Sequence, residues 1–400
     1  MKTSIIVIII LLLSILLLSV DFYFGRKKHL SEVKKVYFPN RQSDIRLFTK
    51  GKLLTEQLFH DIQKAKQYVH VQFFIVKNDP ISQQFTNLLK KKAEQGMDVR
   101  LLVDWVGSAV LPSNVRDSLK KSGVKFSYSH KPKWPHPFYT LQKRNHRKIC
   151  VIDGEIGYIG GFNIGKEYVD GDKKLSPWRD YHLHLTGEGV QDLEAVFLSD
   201  WLDATGENIK YEDVYIKPGH QGKSPHRFAP SDGAFLENEY IELIRQAEKA
   251  ITIATPYFVP STKITQELLA CLKRGIALTI IFPYMSDHIL VKEASYTYFR
   301  QLIPAGADVY QFHKGFFHGK YILIDENLVD IGTANFDKRS LFLNYEINCY
   351  IQDPSFIERM KEEIQNDIEN SSLLSLNDLA KLGLWNTIKE RIAACISLLL

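Results

Sequence analysis

Cysteine is scarce in this 400-residue chain, and its positions exclude two common scaffolds. The four cysteines, Cys150, Cys271, Cys349 and Cys395, are scattered and form no C-x-x-C pair. They indicate neither a disulfide framework nor a zinc site, and we interpret them as reduced, buried small hydrophobes. An excess of one charge is also lacking, because the formal net charge is only +5. That value suits an anionic substrate or a membrane surface, but by itself it does not predict nucleic-acid binding.

One long apolar run stands at the N-terminus. Residues 4–20 are Ile, Leu and Val with three serines, followed by the aromatic residues 22–24 and a basic cluster at 26–28. No A-x-A-like cleavage site follows, so we predict an uncleaved transmembrane anchor at 4–24 and a linker at 25–45, with a cleaved signal as the competing interpretation. Because the heavier basic cluster lies downstream, the positive-inside rule predicts a cytoplasmic body.

The rest of the chain repeats one order of helices and strands, and its 45% apolar content can fill two cores. The runs DVRLLVD and IALTIIF, one in each half, are typical of strands buried on both faces. The fold class is therefore α/β, with two tandem, pseudo-symmetric α/β/α sandwich domains. We predict the domains at 46–216 and 234–375, joined by a Pro- and Gly-containing linker at 217–233.

The last 25 residues, 376–400, form a separate amphipathic helix in this prediction. Apolar residues recur there at three- or four-residue steps: Leu376, Leu379, Leu382, Trp385, Ile388, Ile392, Ile396 and Leu399. Two interpretations stay open, namely a helix packed on its own domain and a helix lying at a membrane interface.

An eighteen-residue pattern occurs twice. HRKICVIDGEIGYIGGFN occupies 146–163 and HGKYILIDENLVDIGTAN occupies 318–335, with His, Lys, Asp, Gly and Asn at matching positions. Roughly one start site in ten thousand would show His-x-Lys-x4-Asp by chance, so two copies indicate a duplicated catalytic cassette. The stretch from the preceding glycine to the cassette is eleven residues longer in the first half than in the second. The extra residues lie in the Pro- and aromatic-rich stretch 131–142.

The cassette residues suit phosphodiester chemistry. In a strand, His-x-Lys places an imidazole and an ammonium on the same face. Two such sets would offer one imidazole to attack phosphorus, another to protonate the leaving alkoxide, and Lys and Asn to stabilise the non-bridging oxygens. No metal-binding cluster is evident, although Asp180, His182 and His184 alternate on a predicted strand and a metal site there is the less favoured alternative.

The duplicated His-Lys-Asp motif resembles that of the phospholipase D superfamily and, more narrowly, its bacterial cardiolipin synthases. Supporting stretches begin at Pro177 (PWRDYHLHLTGEG), Thr255 (TPYFVP) and Gly332 (GTANFDKRSLFLNYE). The resemblance covers about residues 47–400. It implies phospholipase D-type domains with one active site at their interface, and no cofactor or metal.

The resemblance also implies residue roles. His146 would be the nucleophile that forms a phosphohistidine, and His318 the acid that protonates departing glycerol and then the base for the acceptor. The implied catalytic set is His146, Lys148, Asp153, His318, Lys320 and Asp325, although structural ion pairing is the favoured role of Asp153 and Asp325. The implied phosphate-binding set is Lys148, Asn163, Lys320 and Asn335. Asp180 and Glu346 would orient the histidines, although seventeen residues separate Asn163 from Asp180 and eleven separate Asn335 from Glu346.

The predicted function is phosphatidyl transfer from one phosphatidylglycerol to another with release of glycerol. The alternative is hydrolysis by a phospholipase D-type phosphodiesterase, acting on phospholipid or, less favoured, on nucleic acid. A catalytically silent membrane scaffold is a third class, against which the intact cassettes argue. The expected partners are phosphatidylglycerol and the lipid bilayer of the cell membrane, without nucleic acid. The sequence predicts no oligomeric state and does not decide which histidine is the nucleophile.

Overall fold

The computed structural model describes residues 2–209, 219–288 and 290–398. The predicted end of the first domain from 210 onward, the first two residues of the predicted linker at 217–233 and the final two residues of the C-terminal helix lie outside the described residues.

The first half begins with a long helix and alternates strands and helices thereafter. Its strands are β1 (Arg41–Lys50), β2 (Tyr68–Phe73), β3 (Asp98–Asp104), β4 (Lys125–Ser129), β5 (Ile149–Ile152), β6 (Ile156–Gly160) and β7 (Trp178–Gly187). Its helices are α1 (Lys2–Glu32), α2 (Gly51–Lys64), α3 (Pro80–Glu94), α4 (Ser113–Lys121), α5 (Pro137–Gln142) and α6 (Val190–Thr205), with a 3-10 turn at Lys166–Val169.

The second half repeats this order and adds elements at its C-terminus. Its strands are β8 (Ser224–Asp232), β9 (Ala250–Ala254), β10 (Ala277–Pro283), β11 (Asp308–Phe312), β12 (Phe316–Phe317), β13 (Tyr321–Ile324), β14 (Leu328–Gly332), β15 (Tyr345–Ile351) and β16 (Ser371–Leu373). Its helices are α7 (Leu236–Gln246), α8 (Thr262–Lys273), α9 (Val291–Leu302), α10 (Lys338–Phe342), α11 (Pro354–Glu369), α12 (Leu376–Ala380) and α13 (Gly383–Cys395).

The strands of both halves join into one continuous sheet with an internal two-fold relation. From the central pair β1–β8 outward, the order is β1-β7-β6-β5-β2-β3-β4 on one side and β8-β15-β14-β13-β9-β10-β11 on the other, with β16 beyond β11. The outer three strands of each series are parallel and the inner ones antiparallel. This repeated order confirms the predicted α/β class with two pseudo-symmetric halves.

The centre of the sheet carries a core that the two halves share. One buried cluster combines Leu185 and Leu193 of the first half with Ile331, Ile347 and Phe356 of the second. Burying such side chains from water stabilises each by about 1.5–3 kcal/mol, so this shared core holds the halves in a fixed relation. The geometry between the two cassettes follows from that rigid junction.

Two stretches that the sequence predicts as linkers contain strands at the centre of the sheet. β1 begins at Arg41, inside the predicted linker 25–45, and β8 at Ser224, inside the predicted linker 217–233. Arg41 lies opposite His226 in the antiparallel β1–β8 pairing. The sequence did not indicate β8, because this segment contains prolines and polar residues and lacks apolar alternation. Its position in the sheet is determined by strand pairing. The domain boundaries themselves stay a prediction.

The N-terminal helix α1 has the length and composition of a membrane span. Residues Thr3–Glu32 contain a window with a mean hydropathy of 3.1, none of which is buried by the rest of the protein. Its last turns do contact the body: Phe22 packs against Tyr139 at 5.4 Å, and Arg26 donates to the carbonyl of Gly233 at 2.6 Å.

The predicted C-terminal helix consists of two helices, α12 and α13. The inner side of α13 packs on α9, with Ala393 buried beside Val291. The outer side leaves three large apolar residues exposed: Trp385, Ile388 and Ile392. The sequence left open whether this helix packs on its own domain or lies at a membrane interface. The helix has a packed inner face and an apolar outer face, so it has the property expected for each.

Candidate active site

Both cassette histidines lie just before a short buried strand, and each is held by the opposite half. The backbone N–H of His146, ahead of β5, donates to the carbonyl of Tyr345 at the start of β15 (2.9 Å). The N–H of His318, ahead of β13, donates to the carbonyl of Arg179 at the start of β7 (2.7 Å). Each histidine therefore depends on the partner half for its backbone position.

The side chains repeat this exchange. Nδ1 of His146 lies 2.9 Å from Oε2 of Glu346, and Nδ1 of His318 lies 2.5 Å from Oδ2 of Asp180. A carboxylate accepts the Nδ1–H, which fixes that tautomer and leaves the Nε2 lone pair directed away from the carboxylate. Because both histidine–carboxylate pairs cross the junction of the halves, neither half contains a complete pair.

Sheet register explains how two unequal spacings produce equivalent carboxylates. Gly160 lies opposite His182 between β6 and β7, and Gly332 lies opposite Asn348 between β14 and β15. Both orienting carboxylates stand two residues before those partners, so they occupy matching positions. The extra residues of the first half lie in the 3-10 turn and loop before β7.

The surroundings of the two carboxylates differ in one respect. Glu346 accepts hydrogen bonds from the hydroxyls of Thr333 (2.7 Å) and Ser340 (2.8 Å). Gly161 occupies the position that corresponds to Thr333, and a Cβ there would lie 2.0 Å from Oδ1 of Asp180. Asp180 therefore requires glycine at this position, whereas Glu346 accepts a hydrogen bond from the hydroxyl of the threonine there.

The cassette lysines are buried beside their histidines. Nζ of Lys148 donates to the carbonyl of His146, and Nζ of Lys320 donates to that of His318, both at 2.6 Å. Lys320 is also 2.8 Å from Nδ1 of His318 and 3.6 Å from Asp180. The two lysines and the two carboxylates therefore lie together in one site, where the lysines can bind the negative charge of an anionic ligand.

Burial lowers the pKa of both imidazoles. Desolvation is the largest cause for His146, and the charges of Lys148 and Lys320 add to it, so its pKa falls to about 4 despite the opposing effect of Glu346. Desolvation and then Lys320 lower the pKa of His318 as well. Because Lys320 of the second half acts on His146 of the first, the two cassettes share one electrostatic environment. A neutral imidazole at physiological pH has the lone pair that a nucleophile needs.

The lysines and carboxylates shift in ways that suit anion binding. Burial lowers the pKa of Lys148 to about 7 and also lowers that of Lys320. Burial alone would raise the pKa of Glu346 and Asp180, but the neighbouring histidines and lysines outweigh it, and both carboxyl groups have a lowered pKa. A bound phosphodiester would favour the charged form of each lysine.

The cassette asparagines are buried on the turns that follow β6 and β14. Oδ1 of Asn163 accepts from the backbone N–H of Ile75 (3.0 Å), and its Nδ2 lies 3.2 Å from the hydroxyl of Tyr168. One amide hydrogen of Asn163 remains available for a ligand. Oδ1 of the buried Asn335 has no hydrogen-bond partner among the described residues.

Asp153 and Asp325, which belong to the cassette motif, lie away from the histidines. They lie at the far ends of β5 and β13 from the histidines, both with positive φ. Asp153 accepts from the backbone N–H groups of residues 66, 67 and 68, and Asp325 from those of 248, 249 and 250. Each carboxylate fixes the turn that enters the innermost parallel strand of its half, β2 or β9, so these contacts are structural and are made to backbone amides, not through ion pairs.

The alternating trio on β7 divides among different partners. Asp180 binds His318, whereas His184 lies 3.5 Å from Asp61. His182 is buried, and its pKa falls to about 3, chiefly through desolvation. Within the described ranges, no group of three or more His, Cys, Asp or Glu has the arrangement of a metal site.

Sequence reasoning missed several residues that build the site. No motif in the sequence indicated the role of Ser340. The one-turn helix α10 places its hydroxyl against Glu346. Phe74 and Trp178 contact the rings of His146 and His318, at 4.9 and 5.0 Å between centroids.

The arginines that flank the first histidine are buried in ion pairs. Arg144 pairs with Asp104 at 3.1 Å, and Arg147 pairs with Asp200 at 2.6 Å. Both therefore hold the backbone around His146.

Comparison with known proteins identifies the family. The family model described as cardiolipin synthase, PLD-like domain, matches residues 58–201 and 240–368. The chain belongs to this family. It is 42% identical over 381 residues to the minor cardiolipin synthase ClsB of Bacillus subtilis (strain 168), with 95% of each chain covered. It is 35% identical to a cardiolipin synthase of Oceanobacillus iheyensis, covering 92% of this chain and 77% of that relative.

A solved structure agrees with the fold of this cardiolipin synthase family member. Phosphatidylserine synthase from Haemophilus influenzae superposes with a TM-score of 0.68 at 16% identity, covering 94% of this chain and 99% of that one. The match supports the architecture of two joined phospholipase D-like halves.

Proposed function

We propose that this protein is a cardiolipin synthase, a membrane-associated phosphatidyltransferase that uses phosphatidylglycerol as both donor and acceptor. One observation carries the proposal: the pairs His146–Glu346 and His318–Asp180 cross between the halves and bring both cassettes to one site. Membership of the cardiolipin synthase family supports the substrate class.

In the first step, Nε2 of His146 attacks the donor phosphorus. A P–N bond forms, the bond from phosphorus to the glycerol head-group oxygen breaks, and His318 gives its proton to that oxygen. Glu346 holds the Nδ1–H of His146 and stabilises the positive charge that develops on the ring. The phosphodiester charge raises the pKa of His318, which favours the protonated acid.

In the second step, an acceptor phosphatidylglycerol occupies the position that glycerol has left. His318, now neutral, takes the proton of the acceptor hydroxyl as its oxygen attacks phosphorus, and the P–N bond to His146 breaks. Cardiolipin is released and both histidines return to their initial protonation states. Lys148 and Lys320 would stabilise the non-bridging oxygens in both steps, with the amide groups of Asn163 and Asn335.

The membrane location follows from α1. Its exposed apolar surface supports a single-pass anchor. The basic residues 26–28 after the span support a cytoplasmic body. Protease protection in sealed, right-side-out vesicles tests the orientation. A cytoplasmic body should be protected there, and its digestion by added protease would contradict the proposal.

Incubation of the purified full chain with phosphatidylglycerol alone tests the reaction. We expect cardiolipin and glycerol in equal amounts, whereas phosphatidic acid as the main product would support the hydrolase alternative. The variant His146→Ala should abolish both products while the melting temperature stays near that of the wild type. Appreciable turnover by this variant would contradict the role of His146.

A further inference from the structure

The insert of the first half, residues 131–142, forms one wall of a cleft of about 220 Å3. The last turns of α1 form the opposite wall, through Lys28 and His29. The proposed reaction uses no residue of this cleft.

The cleft is basic. Four lysines and two carboxylates line it, which leaves a net charge of about +2 with neutral histidines. Lys28 lies 3.9 Å from Glu32 and Lys133 lies 3.6 Å from Asp203, so these charges are compensated. Lys131 and Lys143 have no carboxylate partner among the described residues.

A buried histidine faces this cleft without a hydrogen-bond partner. His130 is 9% exposed, and neither of its ring nitrogens finds a partner in the described part of the chain. Desolvation and the charge of Lys143 hold its pKa well below the ordinary value, so the ring is neutral and can donate one hydrogen bond and accept another. Leaving two buried ring nitrogens unpaired is unfavourable, and a ligand in the cleft would relieve this by pairing with them.

The position of the cleft along α1 places it at the membrane surface. Lys28 lies four residues beyond the predicted end of the anchor at Phe24, about 6 Å along the helix axis. That distance corresponds to the outer part of the headgroup layer, which lysine side chains reach readily. Trp134, at the rim, is 86% exposed, as is typical of aromatic residues at a membrane interface.

We propose that this cleft is an accessory site for the phosphate of an anionic glycerophospholipid, separate from the catalytic phosphate site. Lys131 and Lys143 would bind the phosphate oxygens, and His130 would donate a further hydrogen bond. The acyl chains would follow the exposed surface of α1 into the bilayer.

The site adjoins the catalytic centre through Tyr345. The ring of His130 packs against that of Tyr345 at 4.4 Å, and Nζ of Lys143 donates to the Tyr345 hydroxyl at 3.3 Å. The carbonyl of Tyr345 accepts from the N–H of His146, and Glu346 is the next residue. A lipid bound here therefore contacts the segment that positions His146 without entering the catalytic site.

Native mass spectrometry of the full chain in detergent micelles tests the site by counting retained lipids during titration with cardiolipin or phosphatidylcholine. We expect the wild type to retain one cardiolipin more than the double variant Lys131→Ala/Lys143→Ala, or that variant to bind it at least about tenfold more weakly. The matched control Lys64→Ala/Lys91→Ala removes two exposed lysines from α2 and α3 and should bind like the wild type. Thermal melts establish that both variants are folded.

Four outcomes would overturn the proposal. They are equal cardiolipin retention by the wild type and the double variant, equal retention of phosphatidylcholine, the same loss in the control pair, and saturation by inorganic phosphate alone with the same dependence on the two lysines. The last outcome would identify a free-anion site. Because no turnover is measured, the result does not depend on the proposed function.

Discussion

Exchanging either orienting carboxylate for its amide should impair a different part of the reaction. Glu346→Gln removes the charge that holds Nδ1–H of His146, and Asp180→Asn does the same for His318. A hydrogen bond to a charged group contributes about 1.5–3 kcal/mol, which corresponds to a loss of about 10- to 150-fold in kcat. The sheet should stay intact, since both amides are nearly isosteric with the acids.

A donor with an activated leaving group separates the two effects. Replacing glycerol by p-nitrophenol gives a leaving group that needs no proton, so the burst of p-nitrophenolate reports nucleophilic attack alone. Asp180→Asn should then recover to within a few-fold of the wild-type burst rate, because its defect lies in the acid. Glu346→Gln should keep most of its loss, because its defect lies in the nucleophile. The opposite pattern would exchange the roles of His146 and His318, and equal recovery of both would refute the separation of roles.

Three further predictions follow from the structure. Since the pKa of Lys148 is about 7 and its charged form binds phosphate, kcat/KM should fall as pH rises through about 7 in a pH–rate profile. Asp153→Asn and Asp325→Asn should each lower the free energy of unfolding in urea by about 1–3 kcal/mol while kcat changes less than about twofold. In proteoliposomes with brominated lipid, Trp385→Phe should reduce tryptophan quenching, because we expect the exposed apolar face of α13 to lie on the bilayer, whereas the buried Trp201→Phe should not.

The sequence predicted the fold class because both of its signals are local. Continuous β-branched runs predicted the buried parallel strands, and β3 and β10 lie there. The repeated cassette predicted that His146 and His318 occupy equivalent positions in the two halves. These features depend on residue type at short spacing, which a linear pattern preserves.

Features that depend on pairing between distant strands could not be predicted in the same way. Which carboxylate meets which histidine is determined by the register of β7 and β15 against segments of the other half. The strand character of β8 has the same origin, since its position in the sheet comes from β1 and β15. The backbone partners of Asp153 could not be predicted, because a motif aspartate and a turn aspartate look identical in sequence.

The crossed arrangement also explains why both cassettes must remain intact for one reaction. In each half the cassette supplies a histidine and a lysine, while the following long strand supplies the carboxylate for the opposite histidine. An acid and a nucleophile in one site need different proton affinities, and here each imidazole receives its carboxylate from the opposite half of the protein. Glu346 accepts from two hydroxyls as well as from Nδ1–H of His146, whereas Asp180 lies 3.6 Å from the Nζ of Lys320 beside His318. This difference breaks the symmetry of the duplication and favours His146 as the nucleophile.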